Sequence, residues 1–214
     1  MFEKLFSPIK IRGMELKNRV MLPAMGTKFS GKASYVTDQL IDYHVARVKG
    51  GCGLNMVEVC SVHTPSAPRG FLSISEDEYV PGLKKLTDAI HAEGGKAGIQ
   101  LWQGSMAVGM DQTAQILMAS DMPMGPGITL PGITVEQIKE VVDCYGKAAK
   151  RAAEAGFDCI EFHCAHNYLL ILSFPVESTT EQMSMAEALK TEVDSHWSVS
   201  VRSARICRKI CRCL

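Results

Sequence analysis

In the stretch AGFDCIEFHCAHNYLL, an apolar run leads directly into His163, His166 and Tyr168. Imidazole N–H groups aimed at one point stabilise negative charge growing on a carbonyl oxygen, and a phenol beside them can deliver a proton to carbon. Together these residue types suggest enolate chemistry. A second chemistry is open to the same segment: His163 and His166, joined by the carboxylate of Glu161, as ligands of a metal-dependent hydrolase or lyase. Spacing bears on both readings. Zinc-binding helices place their histidines four apart on one face, whereas three apart along a straight strand sends the rings to opposite faces. Convergence therefore requires that the strand stop at Cys164 and Ala165 and that the chain turn there. After such a turn, two imidazoles and a phenol make a donor cluster more readily than a closed metal site. A histidine simply satisfied in the core or on the surface carries no chemistry, and that reading has equal standing on these residues alone.

The elements that must position this cluster recur along the chain as one unit: an amphipathic helix, a Gly-Gly or Ala-Gly, then a short apolar strand. TDQLIDYHVARVKGG leads into CGLNMVEVCSV, VPGLKKLTDAIHAEGG into KAGIQLW, and TVEQIKEVVDCYGKAAKRAAEAG into FDCIEFH. Glycine takes the positive φ that closes each helix. Pro81 suits an early helical position, and Thr134 with Gln137 forms a capping box. The nearly continuous apolar strands fit parallel strands buried on both faces, and NRVMLPAM supplies an earlier one. Four strands and three helices thus precede residue 170. No GxGxxG follows a strand, which favours half of a (β/α)₈ barrel, although the pattern leaves a doubly wound sheet open. Barrel active sites lie at the carboxyl ends of the strands, here residues 23–27, 59 and 60, 100–103 and 163–168. Among them Gln100 offers an amide donor and acceptor suited to the edge of a heterocycle such as a flavin pyrimidine ring. Met25 and Trp102 read first as packing.

Composition narrows the partners. The 214 residues are 46% hydrophobic and 21% charged, an ordinary globular balance. Lys+Arg and Asp+Glu are equal at 23 each, so nothing draws the chain toward nucleic acid or an anionic membrane surface. No apolar run approaches the roughly 20 residues of a membrane span, and MFEKLFSPIK lacks a signal-peptide core, which points to the cytoplasm. Cys52, Cys60, Cys144, Cys159 and Cys164 sit in apolar segments as reduced thiols rather than a disulfide framework.

The segments LFSPIKIRGMELKNRVMLPAM, GGKAGIQLWQG and AGFDCIEFHCAHNYLL together resemble the N-terminal half of the Old Yellow Enzyme family of NADH:flavin oxidoreductases. YHVARVKGGCGLNMVEVC is similar to its bile-acid-inducible and 2,4-dienoyl-CoA-reductase-like branch. The resemblance implies an α/β fold, the N-terminal half of a TIM (β/α)₈ barrel, with FMN at the strand ends. It implies reduction by NAD(P)H and hydride transfer from flavin to the β-carbon of an α,β-unsaturated carbonyl, such as a steroid or bile-acid derivative or an enoyl-CoA. His163 and His166 would hold the substrate oxygen and Tyr168 would donate the proton, while Pro23, Ala24, Met25, Val59 and Gln100 would line the flavin. No metal ligand is implied, and FAD and an iron-sulfur cluster belong only to longer relatives. Two departures concern flavin potential and substrate choice: Gly26 then Thr27 stand where relatives have Cys or Thr directly after the methionine, and Gln103 stands where a histidine is common.

Past Leu170 the family pattern stops, which divides the chain into a partial flavin-binding barrel over 1–170 and an aberrant tail over 171–214. Read two nucleotides out of register, the codons open to TEQMSMAEALKTEVDS permit the family motif R-T-D-E-Y-G-G-S-x-E-N-R-x-R-F, and the Met185 codon followed by that of Ala186 forces a glycine. The tail, with Cys207, Cys211 and Cys213 in no metal-site spacing, reads as shifted-frame sequence. A barrel truncated after its fourth strand leaves an open edge that invites oligomers or aggregation. Such a product is expected to hold little or no flavin, the family placing much of the phosphate site on later strands, and at the extreme to be an inactive fragment. Independent DNA reads across codon 170 are expected to reveal a lesion whose correction restores the motif; an intact frame in all of them removes the idea.

Overall fold

The computed structural model describes residues 2–104, 114–166, 168 and 169. A short helix α1 (Glu3–Phe6) precedes an antiparallel hairpin of β1 (Ile9–Ile11) and β2 (Met14–Leu16). There follow β3 (Met21–Leu22), α2 (Asp38–Lys49), β4 (Leu54–Ser61), β5 (Leu72–Ser73), α3 (Val80–Ala92) and β6 (Lys96–Trp102). A second hairpin, β7 (Met122–Gly125) and β8 (Ile128–Leu130), leads to α4 (Val135–Glu154) and β9 (Cys159–Phe162). The main sheet runs β3-β4-β6-β9, all parallel, with β5 as a short side pairing on β4. The proposed boundary at residue 170 and the tail 171–214 lie outside the described residues.

The local signals act as their chemistry dictates. Thr37 caps α2 by accepting from the Leu40 N–H at 3.2 Å, and Thr134 and Gln137 form both bonds of a capping box on α4. Pro81 sits in the first turn of α3. Each of these helices is released by a glycine at positive φ: Gly51, Gly94 and Gly156. The two hairpins are what periodicity does not display, because their strands are too short to alternate.

All three long helices pack on one face of the sheet, which separates a barrel segment from a doubly wound sheet. Val57, Cys60, Ile99 and Leu101 meet Leu40 of α2, Leu83, Leu86 and Ile90 of α3, and Val141, Tyr145 and Ala148 of α4 in one buried core. The opposite face holds a smaller cluster, Leu54 and Met56 against Leu16 of the first hairpin, with Ala24 and Cys159 alongside. Registration stacks that face in rows. Met56, Gly98 and Cys159 are paired neighbours across β4, β6 and β9. A Cβ on Gly98 would lie 2.6 Å from the Met56 sulfur, so only glycine leaves room for the two flanking side chains. The next row is Val59, Gln100 and Glu161, and it forms only because a bulge between Val57 and Val59 sets Glu58 off the ladder.

At the amino ends of the strands Asp158 ties three elements together. Its carboxylate accepts from Lys96 Nζ at 2.8 Å, from the Ala97 N–H at 2.9 Å and from His91 Nε2 at 2.7 Å. Burial pushes this carboxyl up, but the donors from Lys96, Ala97 and His91 outweigh burial and hold it below its ordinary value. On the helix face, buried His44 of α2 bonds Asn55 of β4 at 2.7 Å, and Asn55 returns a bond to the His44 carbonyl at 3.0 Å. Arg151 of α4 reaches across to Asp77 at 2.6 Å and to the Ser75 carbonyl at 2.6 Å. Substituting Asp158→Ala is expected to cost about 2 kcal/mol in denaturant unfolding at neutral pH, since charge-assisted bonds are lost and Ala97 is left unpaired. Because the folded pKa is depressed, that difference between the two proteins is fully present above the ordinary carboxylate range and vanishes as pH falls through the folded value.

Candidate functional site

The carboxyl ends of β3, β4, β6 and β9 gather the residues that sequence singled out. β9 ends at Phe162, and the His163 N–H still donates to the Leu101 carbonyl at 3.0 Å, extending the ladder by one bond. The chain then turns: the Cys164 N–H bonds back to the Phe162 carbonyl at 3.0 Å, and His166 adopts φ 56°. A non-glycine residue in the left-handed region is held there by its surroundings at a cost of about 1 kcal/mol or more. The turn brings both imidazoles to one side. His163 Nε2 and His166 Nδ1 are 3.2 Å apart, and the Tyr168 ring lies 5.1 Å from that of His163 and 6.4 Å from that of His166.

His163 is buried and His166 exposed. Burial first, and the neighbouring His166 second, lower the pKa of His163, so that ring is neutral at physiological pH. A neutral imidazole carries one N–H, and the bond between the rings needs a single proton. Among the described residues no group of three His, Cys, Asp or Glu side chains converges in a metal-binding arrangement, and Glu161 accepts a bond from Gln100 Nε2 at 2.8 Å.

Around this cluster stands an aromatic wall that the sequence did not announce as such. Tyr168 meets Trp102 edge-on at 5.1 Å, Trp102 meets Phe71 at 5.1 Å, and Lys28 Nζ stands 5.4 Å above the Phe71 ring. Trp102 thus packs as expected, yet its packing partner is the tyrosine of the cluster. Of the residues expected to line a flavin, Pro23 and Met25 are exposed beyond β3, Ala24 packs toward the small interior cluster, and Val59 and Gln100 are row neighbours. A Cβ placed on Gly26 would lie 4.0 Å from Val59 and 3.6 Å from Phe71, which sets the loop after β3 beside both.

Two further networks escaped the sequence reading. Gln103 Nε2 donates to Ser66 Oγ at 2.7 Å, Ser66 Oγ bonds His63 Nδ1 at 2.8 Å, and His63 Nε2 faces Glu140 Oε1 at 3.4 Å. Ser, His and carboxylate in line resemble a nucleophilic relay, but Ser66 is fully buried, so the chain of bonds pins the loop after β4 rather than serving a substrate. The second is Glu58, completely buried, whose Oε2 accepts from both the N–H and the hydroxyl of Thr27. Burial pushes its carboxyl up and the Thr27 bonds partly offset this. An acidic residue in the apolar run MVEVC was the available signal.

The NADH:flavin oxidoreductase / NADH oxidase family model matches residues 4–182. The chain is 42% identical over 171 residues to an NADPH dehydrogenase of Listeria monocytogenes serotype 4a, covering 78% of this chain and 50% of the relative. It is 37% identical over 168 residues to a metal reductase of Desulforamulus reducens, covering 78% and 25% respectively. The chain therefore spans half or less of the length of these curated relatives. In fold it is similar to the Old Yellow Enzyme from Pichia sp. AKU4542, with a TM-score of 0.81 at 24% identity over 94% of this chain and 57% of the other. The α/β half-barrel reading of the sequence is thereby borne out. Among the described residues no helix is long and apolar enough to cross a membrane. In an NMR titration the ring of His163 is expected to protonate below the ordinary imidazole range, and His166→Ala is expected to move that midpoint upward by removing the neighbouring imidazole; an unmoved midpoint would mean that the rings do not sense one another.

Proposed function

The chain belongs to the NADH:flavin oxidoreductase / NADH oxidase family, and from that membership we propose that its strand ends form the flavin face and substrate-oxygen end of an FMN-dependent oxidoreductase using NADH or NADPH. The observation that carries the proposal is the meeting of His163, His166 and Tyr168 beyond β9, beside the row Val59, Gln100 and Glu161.

The residues present fit a flavin ring. Pro23 and Met25 are apolar yet exposed at a strand end, as a ledge for a flat heterocycle would be, and Val59 adds an apolar side chain beside them. With Gln100 Nε2 committed to Glu161, the Gln100 amide oxygen is left as the acceptor for a ring N–H. FMN, when bound, supplies the hydride that it has taken from NAD(P)H. This chain's own residues handle the substrate oxygen and the proton. An oxygen that takes the place of the bond between His163 and His166 receives N–H from both rings when each carries a proton on the nitrogen facing the other. Developing enolate charge is thereby stabilised without a metal ligand. Tyr168, held by its contact with Trp102, is placed to hand its phenolic proton to carbon.

The aromatic wall of Phe71, Trp102 and Tyr168 favours an α,β-unsaturated carbonyl with an apolar body, a class that includes steroid acids and enoyl thioesters. The thiols of Cys52, Cys60, Cys144 and Cys159, unbridged among the described residues, suit a reducing cytoplasm. We also propose the domain division at about residue 170, with 171–214 as shifted-frame sequence; the family match ends at 182, inside that tail.

The test is NAD(P)H-dependent reduction of 2-cyclohexenone by a version restored to the family frame after residue 170 and loaded with FMN. Replacing both His163 and His166 by alanine is expected to lower kcat/KM about 10²–10³-fold, and Tyr168→Phe about 10²-fold or more, with FMN content unchanged. Turnover unaffected by all three substitutions would remove the mechanism.

A further inference from the structure

Glu58 is a poor choice for its position by packing alone. It is wholly buried in an apolar strand, where an aliphatic side chain would carry no desolvation cost. Among the described residues its Oε1 has no hydrogen-bond partner, while Oε2 takes both donors of a single residue, the N–H of Thr27 at 2.7 Å and the Thr27 hydroxyl. The bulge between Val57 and Val59 is what frees it for this contact, since in an unbroken ladder it would stand in the row beside Gln100.

The contact continues. Thr27 Oγ1 accepts from the Phe29 N–H at 3.1 Å, Thr37 Oγ1 donates to the Phe29 carbonyl at 2.6 Å, and Thr37 caps α2 through Leu40 at 3.2 Å. This relay spans the connection from β3 to α2, which has no regular secondary structure and takes positive φ at Lys28, Gly31 and Ser34. A segment with such backbone conformations does not hold itself in place; it is held from outside. Glu58 is the end of the relay that is fixed in the sheet.

We infer that Glu58 is a positioning residue that latches the segment after β3, residues 23–27, in the place from which it lines the flavin. The inference rests on the flavin reading above for its purpose, but the latch itself is a property of the polypeptide. Glu58→Gln keeps an oxygen that accepts from both Thr27 donors, whereas Glu58→Leu keeps the bulk and removes the acceptor. Thr27→Val removes the hydroxyl and keeps the N–H.

Amide hydrogen exchange on the 214-residue chain decides the latch. The Thr27 and Phe29 amides are expected to exchange at least about tenfold faster in Glu58→Leu, to stay protected in Glu58→Gln, and to leave the β6 amides unchanged in both. Titration with free FMN of the version restored to the family frame after residue 170 decides the purpose: affinity is expected to fall about tenfold in Glu58→Leu, to be retained in Glu58→Gln, and to fall no further when Thr27→Val is added to Glu58→Leu. Unchanged exchange at Thr27 in Glu58→Leu overturns the latch. Faster exchange with unchanged FMN affinity overturns its role toward the flavin. A restored-frame version with Glu58 intact that takes up no FMN at any concentration overturns the flavin reading itself, while the exchange rates still decide whether Glu58 holds the segment.

Discussion

The parallel register of β4, β6 and β9 is the constraint from which the strand ends follow, because it decides which side chains share a row on the face away from the helices. Met56, Gly98 and Cys159 fill the lower row, and the missing Cβ of Gly98 lets the other two meet. One step up, a single extra residue in β4 brings Val59 rather than Glu58 beside Gln100. Without that bulge a carboxylate would stand beside the amide, with Glu161 on its other side across β6. The bulge thus gives Gln100 an apolar neighbour and sends the displaced acid to Thr27.

The same ladder delivers the histidines. His163 is still bonded to Leu101, so its position is fixed by the sheet, whereas His166 is reached only through a left-handed turn. One ring is therefore set by strand pairing and the other by a local conformation that costs free energy. Contacts of Tyr168 with Trp102 and of Trp102 with Phe71 surround the turn with rigid aromatic surface, which is the kind of support that keeps such a conformation populated.

The architecture was largely legible in the residues because each part of it has a local cause. Buried parallel strands are continuous apolar runs, helices end at glycine, and the Thr134 and Gln137 pair needs no tertiary information to form its box. The barrel segment was legible from the missing GxGxxG and the family resemblance rather than from the helix pattern, which does not say which face of a sheet a helix covers. Convergence of His163 and His166 was stated as a condition on a turn, and the φ of His166 is where that condition is met. The roles of Glu58 and of the relay through Ser66 and His63 could not be read in advance. A bulge is decided by the register of two strands distant in sequence, and hydrogen bonds between loops of different strands have no periodic signature.

The two ends of the sheet treat polar groups differently, and this bears on where function resides. At the amino ends Asp158 is met by three donors, one from α3 and two from the start of β6, a fully paired group of the kind that stabilises. At the carboxyl ends, among the described residues, Glu58 Oε1, Ser61 Oγ and Trp102 Nε1 are buried with no partner. Each such group costs on the order of 1–3 kcal/mol, and three together are a substantial fraction of a domain's net stability. The helix side, though lined by Val57, Cys60, Ile99 and Leu101, carries such atoms too, His44 Nε2 and the Tyr145 hydroxyl. Glu58, Ser61 and Trp102 stand where the histidines, Tyr168 and Gln100 also gather, so part of that stability cost falls at the carboxyl ends of the strands, the face of a barrel at which active sites are built.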